Sequence, residues 1–161
     1  MAGKVYVDVM DYQEIIDRLP YREPFLFVDR LLKVNAAGVE GEYTFSPKAF
    51  FYQGHFKEQP VTPGVLLTEC CAQIGLVALG IFLLREQGAV LNVNTIKLGL
   101  TNSQMEFVLP VYPNEKVFVV SQKQYFRFNK LKCKVKMYNA HKQLVCTGTL
   151  AGMFKVSHDE K

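Results

Sequence analysis

The chain reads as an α+β protein, a strongly curved antiparallel sheet of five to six strands wrapped around one long central helix. Two observations predict this. Val65 to Leu84 is a run of twenty residues with a single ionisable group, the composition of a helix that is apolar all round. Most of the remaining chain carries β-forming residues in alternating patterns, and a sheet with one apolar face must cover that face. Only this one helix is long and apolar enough to do so. With 161 residues and 49% apolar composition, a single domain over 1–161 is the natural count.

The elements follow in order. Asp11 to Leu19 places apolar residues at 12, 15, 16 and 19, the spacing of a short helix, and Pro20 ends it. Phe25 to Val34 is a strand candidate, and Val39 to Phe45 alternates as a second strand. Ser46 to Gln59 is rich in Pro, Gly and aromatics and reads as an irregular loop. The central helix runs from Pro63 to about Gln87. Thr62 is a natural N-cap with Pro63 in the first helical position, and Gly88 closes the other end.

After the helix everything reads as strand: Val90 to Leu100, Gln104 to Leu109, Glu115 to Phe128, Leu131 to Tyr138 and Gln143 to Phe154. Leu131, Cys133, Val135 and Met137 alternate with Lys132, Lys134 and Lys136, which places the lysines toward water. Asn139 to Lys142 is a turn. The tail, 157–161, is polar and expected to fray.

Composition narrows the function classes. Net charge is 19 − 15 = +4, too mild for a nucleic-acid-binding protein but enough to favour an acidic partner at short range. The four cysteines at 70, 71, 133 and 146 show no zinc or redox spacing, and the N-terminus has no apolar signal region. Both features lead us to expect reduced thiols and a cytoplasmic location. The apolar run could span a bilayer by length alone. Glu69 and Gln73 near one end, and the absence of flanking basic clusters, favour a buried core helix and no membrane span.

The richest stretch for chemistry is Phe50 to Gln73. The helix start at Thr62-Pro63-Gly64-Val65 leaves an orphan N–H at the positive end of the helix dipole. Gly64 has no side chain to keep a ligand oxygen away. This suits an oxyanion site for a thioester carbonyl. Glu69 lies about one and a half turns into an apolar helix, where a carboxyl must be paired or neutral. Its bland alternative is a structural bond to Gln73 at i+4. His55 lies in a loop among aromatics, where a lone histidine is more often structural. One histidine and one helix carboxyl beside an open helix N-terminus form, in combination, the parts of an acid/base site.

These residues carry a resemblance. The chain resembles the β-hydroxyacyl-acyl carrier protein dehydratases of the FabZ type, which have the hot-dog fold, over Leu19 to Phe154. The matching segments are Leu19 to Phe25 with Val28-Asp29-Arg30, Phe51 to Phe56, Pro60 to Val65, Glu69 to Gln73 and Pro110 to Pro113. The His55-to-Glu69 spacing, 69 − 55 = 14, matches the family. The resemblance implies that a (3R)-3-hydroxyacyl thioester loses water to give the trans-2-enoyl thioester. His55 would take the C2 proton, Glu69 would hold or protonate the leaving hydroxyl, and the Gly64 N–H would polarise the carbonyl. Phe56, Pro63, Val65 and Gln73 would contact substrate. The resemblance implies no cofactor and no metal. It implies acyl carrier protein as partner, an apolar acyl tunnel beside the central helix, and a homodimer that shares its sites, with further assembly into a trimer of dimers.

Several positions depart from the family pattern. Tyr21 stands where His is usual, Lys57 where Pro is common, and Val108-Leu109 where two basic residues are usual. Pro113-Asn114-Glu115 replaces Pro-Gly-Asp. They fit a paralogue that serves a specialised acyl chain, such as an aryl polyene or flexirubin-type pigment. Glu69 itself leans against a dehydratase-isomerase, where Asp commonly takes that place. Two alternatives accompany the dehydratase reading: a hot-dog acyl thioesterase, and a catalytically weak partner subunit of a heterodimer. His141 and His158 read as surface residues, and Cys70 and Cys71 as packing residues. The Lys132/134/136 stripe reads as a solvated strand face, with carrier docking alongside Lys97, Lys123 or Arg127 as its functional alternative.

Overall fold

A computed structural model describes residues 11–91 and 95–156. The expected tail at 157–161, with His158, lies outside the described residues. A short helix α1 (Tyr12–Asp17) is capped by the Asp11 side chain and ends at Arg18, two residues before Pro20. Strands β1 (Arg30–Asn35) and β2 (Gly38–Thr44) precede a single 3₁₀ turn at Phe50–Gln53. The central helix α2 (Gly64–Glu86) follows, then β3 (Ile96–Phe107), β4 (Lys116–Arg127), β5 (Lys130–Asn139) and β6 (Leu144–Val156). All strand pairs are antiparallel and the sheet order is β1-β2-β4-β5-β6-β3, so β1 and β3 are its edges.

The sheet wraps α2 as its alternation requires. Leu131, Cys133, Val135 and Met137 of β5 are fully buried, as are Val117 and Val119 of β4 and Leu150 of β6. They meet Ile74, Leu79 and Ile81 of the helix, which are buried as completely. Each such aliphatic side chain contributes about 1.5–3 kcal/mol relative to exposure. Lys134 and Lys136 face outward, and Lys132 is half-buried. The apolar helix is long enough to cross a membrane, yet 72% of its most apolar window is buried inside the protein.

Three expectations about this frame are corrected. The strand expected from Phe25 begins only at Arg30, because residues 25–27 hydrogen-bond to the helix rather than to a strand. The Phe27 N–H donates to Gln73 Oε1 (2.7 Å), and the Phe25 carbonyl accepts from Gln73 Nε2 (3.0 Å). The two strands expected on either side of residues 101–103 are one strand, β3. A bulge between Leu100 and Asn102 shifts the register without ending the pairing with β6. That strand also starts later than expected: Ala89–Leu91 are outside it, and 92–94 lie outside the described residues.

Third, α2 is not uniformly α-helical. Gln73–Ala78 forms a π segment between α-helical stretches Gly64–Ala72 and Leu79–Glu86. Apolar periodicity cannot show this, since every residue of the segment is buried. Gly75 packs directly against the sheet. A Cβ there would sit 2.9 Å from Val135 Cγ1 and 3.0 Å from Ser121 Cβ. The Ser121 hydroxyl donates to the Gly75 carbonyl at 2.8 Å.

Candidate active site

The loop before α2 is held by two local clasps. The Tyr52 hydroxyl lies 2.6 Å from Thr62 Oγ1, and the Thr62 N–H donates to the Val111 carbonyl at 2.8 Å. Residues 55 and 61 form the second clasp. The Val61 N–H donates to the His55 carbonyl (2.9 Å), and His55 Nδ1 lies 2.8 Å from the Val61 carbonyl. A carbonyl oxygen only accepts, so Nδ1 carries a hydrogen, and in the neutral ring Nε2 presents its lone pair. The half-buried imidazole is thus held in the tautomer of a base, with the Phe56 ring stacked on it at 4.3 Å.

The helix start corrects another expectation. Pro63, in extended conformation, is the N-cap, and Thr62 is not. The Thr62 hydroxyl is engaged by Tyr52 and makes no cap bond. The Leu66 and Leu67 N–H groups reach the Pro63 carbonyl. The N–H groups of Gly64 and Val65 have no hydrogen-bond partner among the described residues. Two donors therefore stand free at the positive end of a long helix. The Phe107 ring lies beside them, 3.3 Å from where a Gly64 Cβ would stand. Val65 is 76% exposed and Phe56 60% exposed, so both are open to a ligand or a second subunit.

Glu69 is half-buried on the same helix. Its Oε1 accepts from Gln73 Nε2 at 3.0 Å, the i+4 pairing weighed as its structural role. Gln73 has no exposed surface and is fully committed. Its two amide hydrogens serve Glu69 and the Phe25 carbonyl, and its oxygen takes the Phe27 N–H. In the single chain its amide is spent on Glu69 and on residues 25–27. The bonds that commit it come from a segment whose pattern resembles a strand, so no local pattern signals them.

Tyr21 joins this cluster. Burial, and secondarily the Glu69 charge, push its hydroxyl up to about 12, so it remains neutral. The sequence had marked it only as a departure from a family pattern. Among the described residues no hydrogen bond or ion pair joins His55 and Glu69 within one chain. The cysteines are packing groups. Cys70 and Cys71 are fully buried, burial raises the Cys70 thiol, and Cys71 lies 4.0 Å from Cys146.

The family model for the FabA-like domain matches residues 19–154. A 3-hydroxyacyl-[acyl-carrier-protein] dehydratase FabZ of Sinorhizobium medicae is 34% identical over 155 residues, covering 92% of both chains. The FabZ of Moorella thermoacetica is 48% identical over 71 residues, a match to 44% of this chain and half the length of that relative. Among solved structures, the dehydratase heterocomplex ApeI:P from Xenorhabdus doucetiae superposes with a TM-score of 0.71 at 12% identity, over 90% of this chain and 91% of that one. A hypothetical thioesterase with coenzyme A from Streptococcus pneumoniae shares the fold at a TM-score of 0.55 and 10% identity, over 80% of this chain and 87% of its own. The sheet-wrapped helix, the near-complete alignment and the family match agree: the chain belongs to the FabA-like family of hot-dog-fold dehydratases, as a member of the FabZ type.

Proposed function

We propose that this chain dehydrates (3R)-3-hydroxyacyl thioesters carried on acyl carrier protein, in fatty-acid or specialised acyl-chain synthesis. The observation that carries the reading is the Val61 clasp on His55, which puts the neutral ring's hydrogen on Nδ1 and turns Nε2, beside an aromatic wall, to the role of base. His55 Nε2 takes the proton from C2 of the substrate. The electron pair forms the C2–C3 double bond as the C3–O bond breaks, and the leaving hydroxyl departs as water with a proton from Glu69. The free Gly64 N–H receives the thioester oxygen while charge gathers there. Gln73 fixes the Glu69 carboxyl from behind, and Phe56, Pro63 and Val65 border the reacting end. The acyl chain runs beside α2.

The two catalytic groups meet when two chains pair. β3 is a twelve-residue edge strand, mostly exposed, and Leu100, Phe107 and Val108 are each about half exposed or more on or just beyond it. A long open edge of this kind invites a second strand. Antiparallel pairing of two β3 edges builds a homodimer in which His55 of one protomer serves Glu69 of its partner. The reading includes a cytoplasmic protein with reduced thiols.

The test is enoyl-thioester absorbance on mixing the protein with a 3-hydroxyacyl carrier substrate. Wild type should produce the rise, and His55→Ala and Glu69→Gln should each lower turnover by about 10²–10⁴-fold with the fold retained by circular dichroism. Wild-type rates in both variants would overturn the assignment. Thiol release without an enoyl product would instead establish a thioesterase.

A further inference from the structure

Tyr52 lies in the 3₁₀ turn before the His55 loop and is buried, polar tip included. Burial pushes its hydroxyl up from the ordinary tyrosine value, so it stays protonated. Among the described residues its side chain makes one hydrogen bond, to the Thr62 hydroxyl at 2.6 Å. Thr62 is buried as well. Two buried hydroxyls that satisfy one another contribute little net stability, because an apolar pair of the same shape can replace them at almost no cost. The pair therefore asks for a reason other than stability.

That reason lies in where the Thr62 hydroxyl would otherwise go. A threonine hydroxyl readily accepts from the backbone N–H two residues on, which here belongs to Gly64. The backbone at this point is fixed. The Thr62 N–H donates to the Val111 carbonyl at 2.8 Å, and the Pro63 ring holds φ at −57°. Rotation about χ1 of Thr62 is left to decide which way its oxygen points. Held by Tyr52, the oxygen points away from the helix, and no side chain caps the helix start. Released, it would find unpaired donors at the positive end of the helix dipole.

We propose that Tyr52 is a positioning residue for the dehydration: its hydroxyl holds Thr62 off the helix N-terminus and keeps the Gly64 N–H open to the thioester oxygen. The inference rests on the dehydratase reading and adds a residue to it. It differs from a simpler role in a way that can be measured. The same bond also ties residue 52 to residue 62 around the loop that carries His55. A plain loop tie has two equivalent halves, and removing either hydroxyl breaks it alike. A guard has unequal halves. Tyr52→Phe releases the competing oxygen, whereas Thr62→Val removes it.

The experiment compares Tyr52→Phe, Thr62→Val and the double variant by enoyl-thioester production and by thermal melting. Tyr52→Phe should lower kcat/KM by about 10–10²-fold, since an oxyanion donor is then occupied. Its melting temperature should equal or exceed that of wild type, because the released hydroxyl caps the helix. Thr62→Val should melt lower, with a tyrosine hydroxyl left unpaired, yet keep kcat/KM within about twofold of wild type. The double variant should recover kcat/KM to within about threefold of wild type, because no acceptor remains to compete. Equal losses of turnover in the two single variants would make the bond a loop tie and overturn the inference. Wild-type turnover in Tyr52→Phe, or no recovery in the double variant, would overturn it too. A second readout needs no substrate. Amide hydrogen exchange at Gly64, followed by NMR on the intact protein, should slow by about tenfold in Tyr52→Phe. Unchanged exchange would likewise overturn the inference. Absence of enoyl product from the wild type would remove the dehydratase reading, while the exchange rates would still decide whether Tyr52 holds Thr62 off the helix.

Discussion

The two ends of the central helix are finished in opposite ways. At the C-terminal end every local device favours closure. Gly88, with φ of 85°, donates to the Arg85 carbonyl, and the Ala89 N–H reaches back to the Leu84 carbonyl, which completes a Schellman motif. Arg85 stands in the last turn, where a cation suits the dipole, and pairs with Glu14 of α1 at 3.2 Å. At the N-terminal end the available cap is diverted. Thr62 gives its hydroxyl to Tyr52, Pro63 offers no side-chain acceptor, and Gly64 and Val65 keep free N–H groups. A capped N-terminus is worth about 1 kcal/mol to a helix. The protein forgoes that stabilisation at the end where two donors stay free, and takes the equivalent stabilisation at the other end.

If this contrast is right, equivalent changes at the two ends have different consequences. Gly64→Ala should have the largest effect, and on activity. The added Cβ, 3.3 Å from the Phe107 ring, stands where a carbonyl oxygen would approach the free N–H groups. We expect kcat/KM to fall by about 10–10²-fold, since small misplacements of a reacting group are costly. The melting temperature should move little, because alanine is the better helix former. A stability loss with unchanged turnover would break the contrast. Gly88→Ala should do the reverse. A side chain at φ of 85° is strained, so about 1 kcal/mol of stability should be lost. For a chain of this length that is a drop of about 2–4 °C in melting temperature, read by calorimetry, with turnover intact. Arg85→Ala should be the smallest. Its ion pair is about one-third exposed on the Arg side and half exposed on the Glu side. A loss of about 0.2–0.5 kcal/mol, reduced further at high salt in chemical denaturation, would place it as trim on an end already closed.

The legibility of this molecule in its sequence follows the same division between local and long-range causes. Gly88 as the closing residue, α1 and its end before Pro20, and the alternation of β5 were readable because each depends on neighbours in the chain or on a period of two. The proposed catalytic pair, His55 and Glu69, is readable as residue types in a motif. Thr62 was misread because a better partner, Tyr52, reaches its hydroxyl from ten residues away through a loop fold that no local rule describes. The hydrogen bonds of Gln73 to residues 25–27 are not legible in the sequence because they depend on where that segment runs. That segment has the composition of a strand but spends its backbone groups on the helix. The bulge in β3 was read as a break for the same reason: local polarity around residues 101–103 cannot show that β6 continues to pair across it.

By itself the sequence determined the class of the fold, one apolar helix that a sheet has to cover, and the residue types for acid/base chemistry. These follow from hydrophobic burial and from side-chain chemistry, both carried by composition and period. Only the tertiary structure decided which hydrogen-bonding groups are spent and which stay free. The His55 tautomer follows from a carbonyl six residues on, the open helix N-terminus from a hydroxyl taken elsewhere, and the orientation of Glu69 from an amide anchored to a distant segment. A hydrogen bond depends on distance and angle in space, and sequence spacing does not fix those outside a helix or strand.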